Sequence, residues 1–262
     1  MSADTRLIRA VRQALSAAAD PAKAPIMQAY MKSEMPYRGV QSTPLRQAMR
    51  PLFAAHSIET FEDWRDTVLT LWREARYREE RYAAIELAAH SLSRPFQTLE
   101  ALSVYEELIV TGAWWDFVDT IASHRIGGLL RRYPHEMSAI LRRWATGDDI
   151  WKRRAAILAQ LGFKSGTDCA LLYDCIRPSL DRPEFFLRKG IGWALREYSK
   201  TDASAVKRYV RRHANLLSPL SRREALKRLT PLTNSDTEPR PSERSLQRRT
   251  AKKSRASSRY RA

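Results

Sequence analysis

Glycine is scarce in this chain, at nine of 262 residues, and neither Asn-Gly nor Asp-Gly occurs, so the tight hairpins of a β-rich fold lack their usual turn residues. Cysteine is scarcer still. Cys169 and Cys175 lie six positions apart, which fits no common zinc spacing, and the five histidines form no i, i+4 pair and have no cysteine partner. Both cysteines therefore read as reduced packing residues, and neither a metal nor a cofactor is expected. No apolar run approaches the roughly 20 residues that span a bilayer, and the segment Met1–Arg6 lacks the hydrophobic stretch of a secretory signal. The expectation is a cytoplasmic protein with no membrane partner.

Acidic residues are also in short supply: 29 Asp and Glu face 46 Lys and Arg, giving a formal net charge of +17 and an isoelectric point near 10.3. Such a balance points to a polyanionic partner. Nine basic and three acidic residues fall between Thr233 and Ala262, which leaves +11 on residues 1–232. That last segment, with Pro239, Pro241 and Arg248, Arg249, Lys252, Lys253 and Arg255 among many serines, has too little apolar periodicity to offset the entropy of ordering. Residues 1–232 are expected to form one folded domain and 233–262 a disordered basic tail.

What is present is helix. Apolar residues recur at 3.6-residue spacing in fourteen segments, from Asp4–Ala17 and Pro21–Lys32 to Ala203–His213 and Ser221–Leu229. Among them are Phe96–Val110, Trp114–His124, Ile126–Arg132, Asp149–Leu161 and Pro183–Lys200. Breakers at Pro36, Ser93-Arg94-Pro95, Pro134, Pro178 and Pro183 divide the chain into antiparallel pairs joined by short loops. The expected fold class is all-α, a HEAT-like solenoid with a concave basic face, with a closed helical bundle as the alternative.

Three helices carry side chains that their core stripe does not need. At about 100° per residue, Trp114, Phe117, Val118 and Ile121 form one stripe, whereas Trp115, Asp119 and Ala122 lie about a third of a turn away. In the segment 185–198, Leu187, Ile191, Ala194, Leu195 and Tyr198 form the stripe, yet Trp193 projects to nearly the opposite side, near Lys189, Gly190 and Arg196. Gly190 leaves room there for a close approach. Arg154 borders the stripe of Trp151, Ala155 and Leu158, an unusual place for a freely solvated charge. Trp114, Trp144 and Trp151 are expected in the core. Taken singly, Trp115 and Trp193 could pack between repeats and Asp119 could form a structural ion pair with Arg154.

Four separated segments carry a family resemblance: Tyr105–Ile109 through Trp114–Asp119, Ile150–Leu158, Lys189–Tyr198 and Pro219–Ala225. In order and spacing, from about Tyr30 to Leu229, the chain resembles the AlkD-type DNA alkylation repair glycosylases. The resemblance implies a HEAT-like solenoid that grips duplex DNA and excises cationic N3- and N7-alkylated purines, without rotating the damaged base into a protein pocket. It implies that Asp119, Trp115, Trp193 and Arg154 are the catalytic residues. Tyr30-Met31-Lys32 and Gly39–Pro44 resemble the family's early DNA-contacting region, here with a loop one residue longer, which suggests Tyr30, Gln41 and Thr43 as contacts. Lys164, Lys189 and Arg196, on or near the motif helices, are the candidate phosphate contacts. No lysine is singled out as a nucleophile, so the expected enzyme is a monofunctional, monomeric glycosylase acting on duplex DNA. The rival readings are a non-catalytic DNA-binding solenoid and a protein-binding HEAT scaffold.

Overall fold

The computed structural model describes residues 3–229, so the expected disordered tail at 233–262 lies outside the described residues. One compact unit spans Met1–Lys227; of a second, Arg228–Ala262, only Arg228 and Leu229 are described. No strand occurs among the described residues. In chain order the helices are α1 (Thr5–Ala17), α2 (Ala24–Met31), α3 (Ser42–Ala54), α4 (Phe61–Arg73), α5 (Arg78–Ala89), α6 (Leu102–Gly112) and α7 (Trp115–Thr120). They continue with α8 (Gly127–Arg132), α9 (Pro134–Thr146), α10 (Ile150–Leu158), α11 (Cys169–Ile176), α12 (Phe185–Tyr198), α13 (Ala203–Arg212) and α14 (Pro219–Leu226).

Local chemistry sets most of these starts. The carboxylates of Asp4, Asp149, Asp168 and Asp202 and the hydroxyls of Thr60 and Ser218 each accept from a backbone N–H in the first turn of the helix that follows. Such caps are each worth about 1 kcal/mol. The hydrophobic faces then stack stepwise: α1 packs on α3, α4 and α5; α9 on α8, α10 and α11; α10 on α6, α7 and α12; and α12 on α13 and α14. Packing of each pair mainly on its neighbours in sequence is the logic of a helical-repeat solenoid rather than of a closed bundle around one axis. Trp64, Trp72, Tyr105, Phe53 and Phe117 are the largest fully buried side chains of its continuous core.

Three expected elements differ from those found. The segment expected from Phe96 follows one 3-10 turn, Ser91–Phe96, contains a second, Leu99–Ala101, and becomes α-helical only at Leu102. Pro95 removes a backbone donor, and the Gln97 side chain takes over by donating to the Ser93 carbonyl and accepting from the Tyr105 hydroxyl. The segment expected from Pro21 starts at Ala24, because the Asp20 carboxylate accepts from the N–H groups of Ala22 and Lys23 and holds a turn. The break expected at Arg125 is absent: α7 runs through a π-helical turn, Ile121–Ile126, directly into α8. Gly127 permits this path, since a Cβ there would lie 2.5 Å from the Ala159 carbonyl oxygen.

The loop between α2 and α3 is pinned from below. The fully buried Glu79 carboxylate on α5 accepts from the N–H groups of Arg38, Gly39 and Val40 at 2.9–3.1 Å. Gly39 adopts φ +86°, and a Cβ there would lie 2.0 Å from the Asp20 carbonyl oxygen, so no other residue fits. Replacing Glu79 by Ala strands these donors in a buried site, and the expected cost is about 2 kcal/mol or more. Urea unfolding checks this as a lower midpoint with an unchanged slope.

Candidate active site

The link between α6 and α7 is two residues long. Ala113 closes α6 in the left-handed region at φ +43°, and Trp114 is extended before α7 begins at Trp115. Trp114 is thus half-buried rather than a core residue, with its ring against Trp151 and Phe186 at centroid distances of 6.2 and 5.3 Å; Trp144 and Trp151 are buried as expected. Phe117 anchors the short helix. It is fully buried, meets Trp72 edge-on at 5.0 Å and lies under the Arg78 guanidinium at 4.2 Å. With Phe117 and Val118 fixed inward, Trp115, Asp116 and Asp119 face a cleft.

Asp119 is held by a two-pronged ion pair. Arg154 Nε donates to Oδ1 at 2.7 Å and Nη2 to Oδ2 at 2.9 Å, with 12% of the Asp119 side chain and 4% of the Arg154 side chain exposed. The remaining guanidinium nitrogen, Nη1, donates to the Phe186 carbonyl oxygen on α12. Every nitrogen of Arg154 is therefore engaged within the protein. The room at Gly190 is filled by this same arginine: a Cβ on Gly190 would lie 3.0 Å from Nη1. Upstream, Asp149 starts α10 by accepting from the N–H groups of Trp151 and Lys152, which fixes the turn that carries Arg154.

The cleft, of about 610 Å³, lies between α2 with its following loop on one side and α7 with α12 on the other. Trp115, Trp193 and Asp119 line it together with Tyr30 and Gln41. Met27, Met31, Val40 and Leu45 supply apolar wall. Burial pushes the Asp119 carboxyl above its ordinary value of 3.8, against the pull of the Arg154 guanidinium, and the neighbouring charge of Asp116 adds to the upward shift.

Not every candidate is brought to this cleft. Thr43 is exposed at the start of α3, and the neighbouring Ser42 lines the cleft instead. Lys164, at φ +54° in the turn after α10, borders a separate hollow of about 480 Å³ with Lys200 and Thr201. Lys189 pairs with the buried Glu224 carboxylate of α14 at 2.8 Å, and Arg196 pairs with its other oxygen. Together they hold that carboxyl below its usual range and tie α12 to α14. Gly192 allows the same close packing, since a Cβ there would lie 2.5 Å from Glu224 Cβ.

Several residues of the cleft escaped the sequence reading. Asp116, Tyr82, Tyr37, Arg46 and Glu86 all line it. The i, i+3 spacing of Asp116 and Asp119 was a usable signal, as was the i, i+4 spacing of Arg78 and Tyr82, whose side chains converge on Asp116.

With this geometry in view, the comparison with known proteins is direct. The family described as DNA alkylation repair enzyme matches residues 11–229. The chain belongs to that family. A solved structure described as a predicted DNA alkylation repair enzyme from Enterococcus faecalis is similar to this family member at a TM-score of 0.71 and 28% identity, over 82% of this chain and 98% of the other. No curated protein matches the chain. Its role therefore lies in DNA repair, and no helix among its described residues is long and apolar enough to cross a membrane.

The ion pair makes a stability prediction for this repair protein. Removing Arg154 leaves a buried carboxylate uncompensated, so Arg154→Ala is expected to cost about 3–5 kcal/mol at neutral pH. Asp119 in the folded chain holds its proton more tightly than in the unfolded chain, and more so without Arg154. The penalty is therefore complete at neutral pH and lifts as pH falls through the raised Asp119 value. Denaturant titrations of native and variant protein across the acid range check this: the stability gap narrows on acidification.

Proposed function

We propose that this protein is a monofunctional DNA glycosylase that hydrolyses the N-glycosidic bond of cationic N3- and N7-alkylated purines in duplex DNA. The observation that carries the reading is the Asp119 carboxylate, held charged by a two-pronged arginine contact at an opening walled by Trp115 and Trp193.

The chemistry asks for little more. An N3- or N7-alkylated purine is already positive, so when the glycosidic bond breaks its electron pair leaves with the base, which departs neutral and needs no general acid. The positive charge passes to the deoxyribose. A fixed anion beside the sugar stabilises that state more than the ground state, which is the differential binding that accelerates a reaction. Water then attacks C1′, and its proton goes to Asp119 or to solvent. Arg154 holds both carboxylate oxygens yet leaves each a free lone pair, a geometry that suits orienting Asp119 rather than binding a phosphate. The indole faces of Trp115 and Trp193 carry negative potential toward the developing cation.

Recognition of the substrate by its positive charge, rather than by its base edge, also fits action without base flipping. The solenoid would present its basic concave face to the duplex, with Lys164 a phosphate contact and Lys189 and Arg196 contributing donors not used by Glu224. Tyr30, 75% exposed at the rim, and Gln41 would meet the damaged strand, with Thr43 beside them. Residues 1–232 form the acting domain in this reading, which works as a cytoplasmic monomer without a cofactor.

Incubation with duplex DNA carrying N7-methylguanine tests the proposal. Native protein is expected to release free base and Asp119→Asn is expected to lose that release, whereas equal release by both sinks the mechanism. Since the ionised carboxylate is the active form and its value is raised, kcat should fall on acidification with a midpoint above 3.8. A rate flat through the acid range down to 3.8 contradicts the assignment.

A further inference from the structure

The cleft holds a second carboxylate, one helical turn before the first. Both oxygens of Asp116 are taken: Arg78 Nη2 donates to Oδ1 at 2.7 Å and the Tyr82 hydroxyl donates to Oδ2 at 2.5 Å. Tyr82 has a single proton to donate, so its oxygen accepts from the Tyr37 hydroxyl at 2.9 Å and from Arg78 Nε at 3.2 Å. Burial pushes the Tyr37 hydroxyl up to about 12 and moves Tyr82 in the same direction, so both stay protonated and the order of donation is fixed from Tyr37 to Tyr82 to Asp116. Arg78 also donates to Ser33 Oγ at 3.3 Å, and its backbone N–H to the Pro36 carbonyl oxygen at 3.0 Å. Three separate segments, the loop after α2, α5 and the first turn of α7, are thus tied together at Asp116.

A buried ion pair with this much desolvation is a poor device for stability alone, since apolar side chains would join α5 to α7 as well. What apolar side chains cannot supply is a directional clamp beside the reacting carboxylate. Resting on the glycosylase reading, we propose that Asp116 is a positioning residue for the reaction: clamped by Arg78 and Tyr82, it fixes the first turn of α7 so that Trp115 and Asp119 face the cleft wall carried by α2 and its loop.

Its charge has a second, separable effect. The groups acting on Asp119 are Arg154 from α10 and Asp116 from its own helix. Across the cleft Arg46 of α3 and Glu86 of α5 pair with each other at 2.8 Å. On α6, Glu107 is taken by Arg73 and Glu106 by Lys152. The π-helical turn adds His124 and Arg125, and burial together with Arg125 lowers the His124 value. Burial disfavours the ionised form of Asp119 most, Arg154 favours it, and the like charge of Asp116, one helical turn away, adds to the effect of burial.

Two variants separate clamp from charge, each checked for native helicity and melting. Tyr82→Phe removes one donor but keeps the Arg78–Asp116 pair; it is expected to lower kcat for N7-methylguanine release more than it changes KM, with the Asp119 titration unmoved. Asp116→Asn removes clamp and charge, and is expected to lower kcat on the order of 10²-fold, the cost of misplacing a catalytic group by about 1 Å. It should also move the Asp119 titration, followed by carboxyl carbon NMR and by the acid limb of kcat, to lower pH. Native kcat in Tyr82→Phe, or a folded Asp116→Asn with native kcat and an unmoved Asp119 titration, overturns the proposal. Native protein that releases no base defeats the glycosylase reading itself, and this role with it. Native protein that releases base alongside two fully active variants defeats only the role of Asp116.

Discussion

The contact between the carboxylate of Asp119 and the guanidinium of Arg154 is what the rest of the site is arranged around. A carboxylate this buried is driven toward its neutral form, and a neutral acid has nothing to offer a sugar that is becoming positive. Arg154 opposes that drift with two parallel donors, and its third nitrogen is fixed by the Phe186 carbonyl oxygen. The pair in turn depends on what surrounds it: a glycine at position 190 so that α12 can approach the guanidinium, and an aspartate at 149 so that α10 begins on the right turn. Each of these choices is local, yet each is needed for one geometry.

The solenoid supplies what a single helix cannot. Asp119 and Trp115 come from α7, Arg154 from α10, Trp193 from α12, and the opposite wall from α2 and its loop, with residue numbers spread from 27 to 193. Stacked helix pairs hold these elements rigidly because each buries its apolar face against its neighbours. The widened turn at Ile121–Ile126 begins two residues after Asp119, and such turns recur at functional sites. Pinning of the α2–α3 loop by Glu79 and its clamping by Arg78 serve the same end on the far wall.

Much of this was legible in the sequence. Helical periodicity gave the order of the elements, because amphipathic helices write their buried face every three to four residues. The off-stripe positions of Trp115, Asp119 and Trp193 were readable for the same reason, and all three line one cleft. Family membership, expected from four spaced segments, is shown by the match across residues 11–229. What could not be read was contact between distant segments. Nothing local says that the free space at Gly190 belongs to Arg154, that Lys189 and Arg196 share Glu224, or that Arg78 and Tyr82 meet Asp116. The late starts of α2 and α6 were missed because hydrogen bonds accepted by the Asp20 carboxylate and made by the Gln97 side chain replaced the helical pattern there.

The central claim is that Asp119 meets a sugar at the moment it becomes cationic, and charge complementarity tests it without any turnover. Duplex DNA carrying a cationic pyrrolidine in place of the deoxyribose mimics that state, and a neutral tetrahydrofuran at the same position mimics its shape alone. The ratio of the two dissociation constants is the measurement. Native protein is expected to prefer the cationic duplex and Asp119→Asn to lose the preference; an equal preference in both proteins contradicts the account.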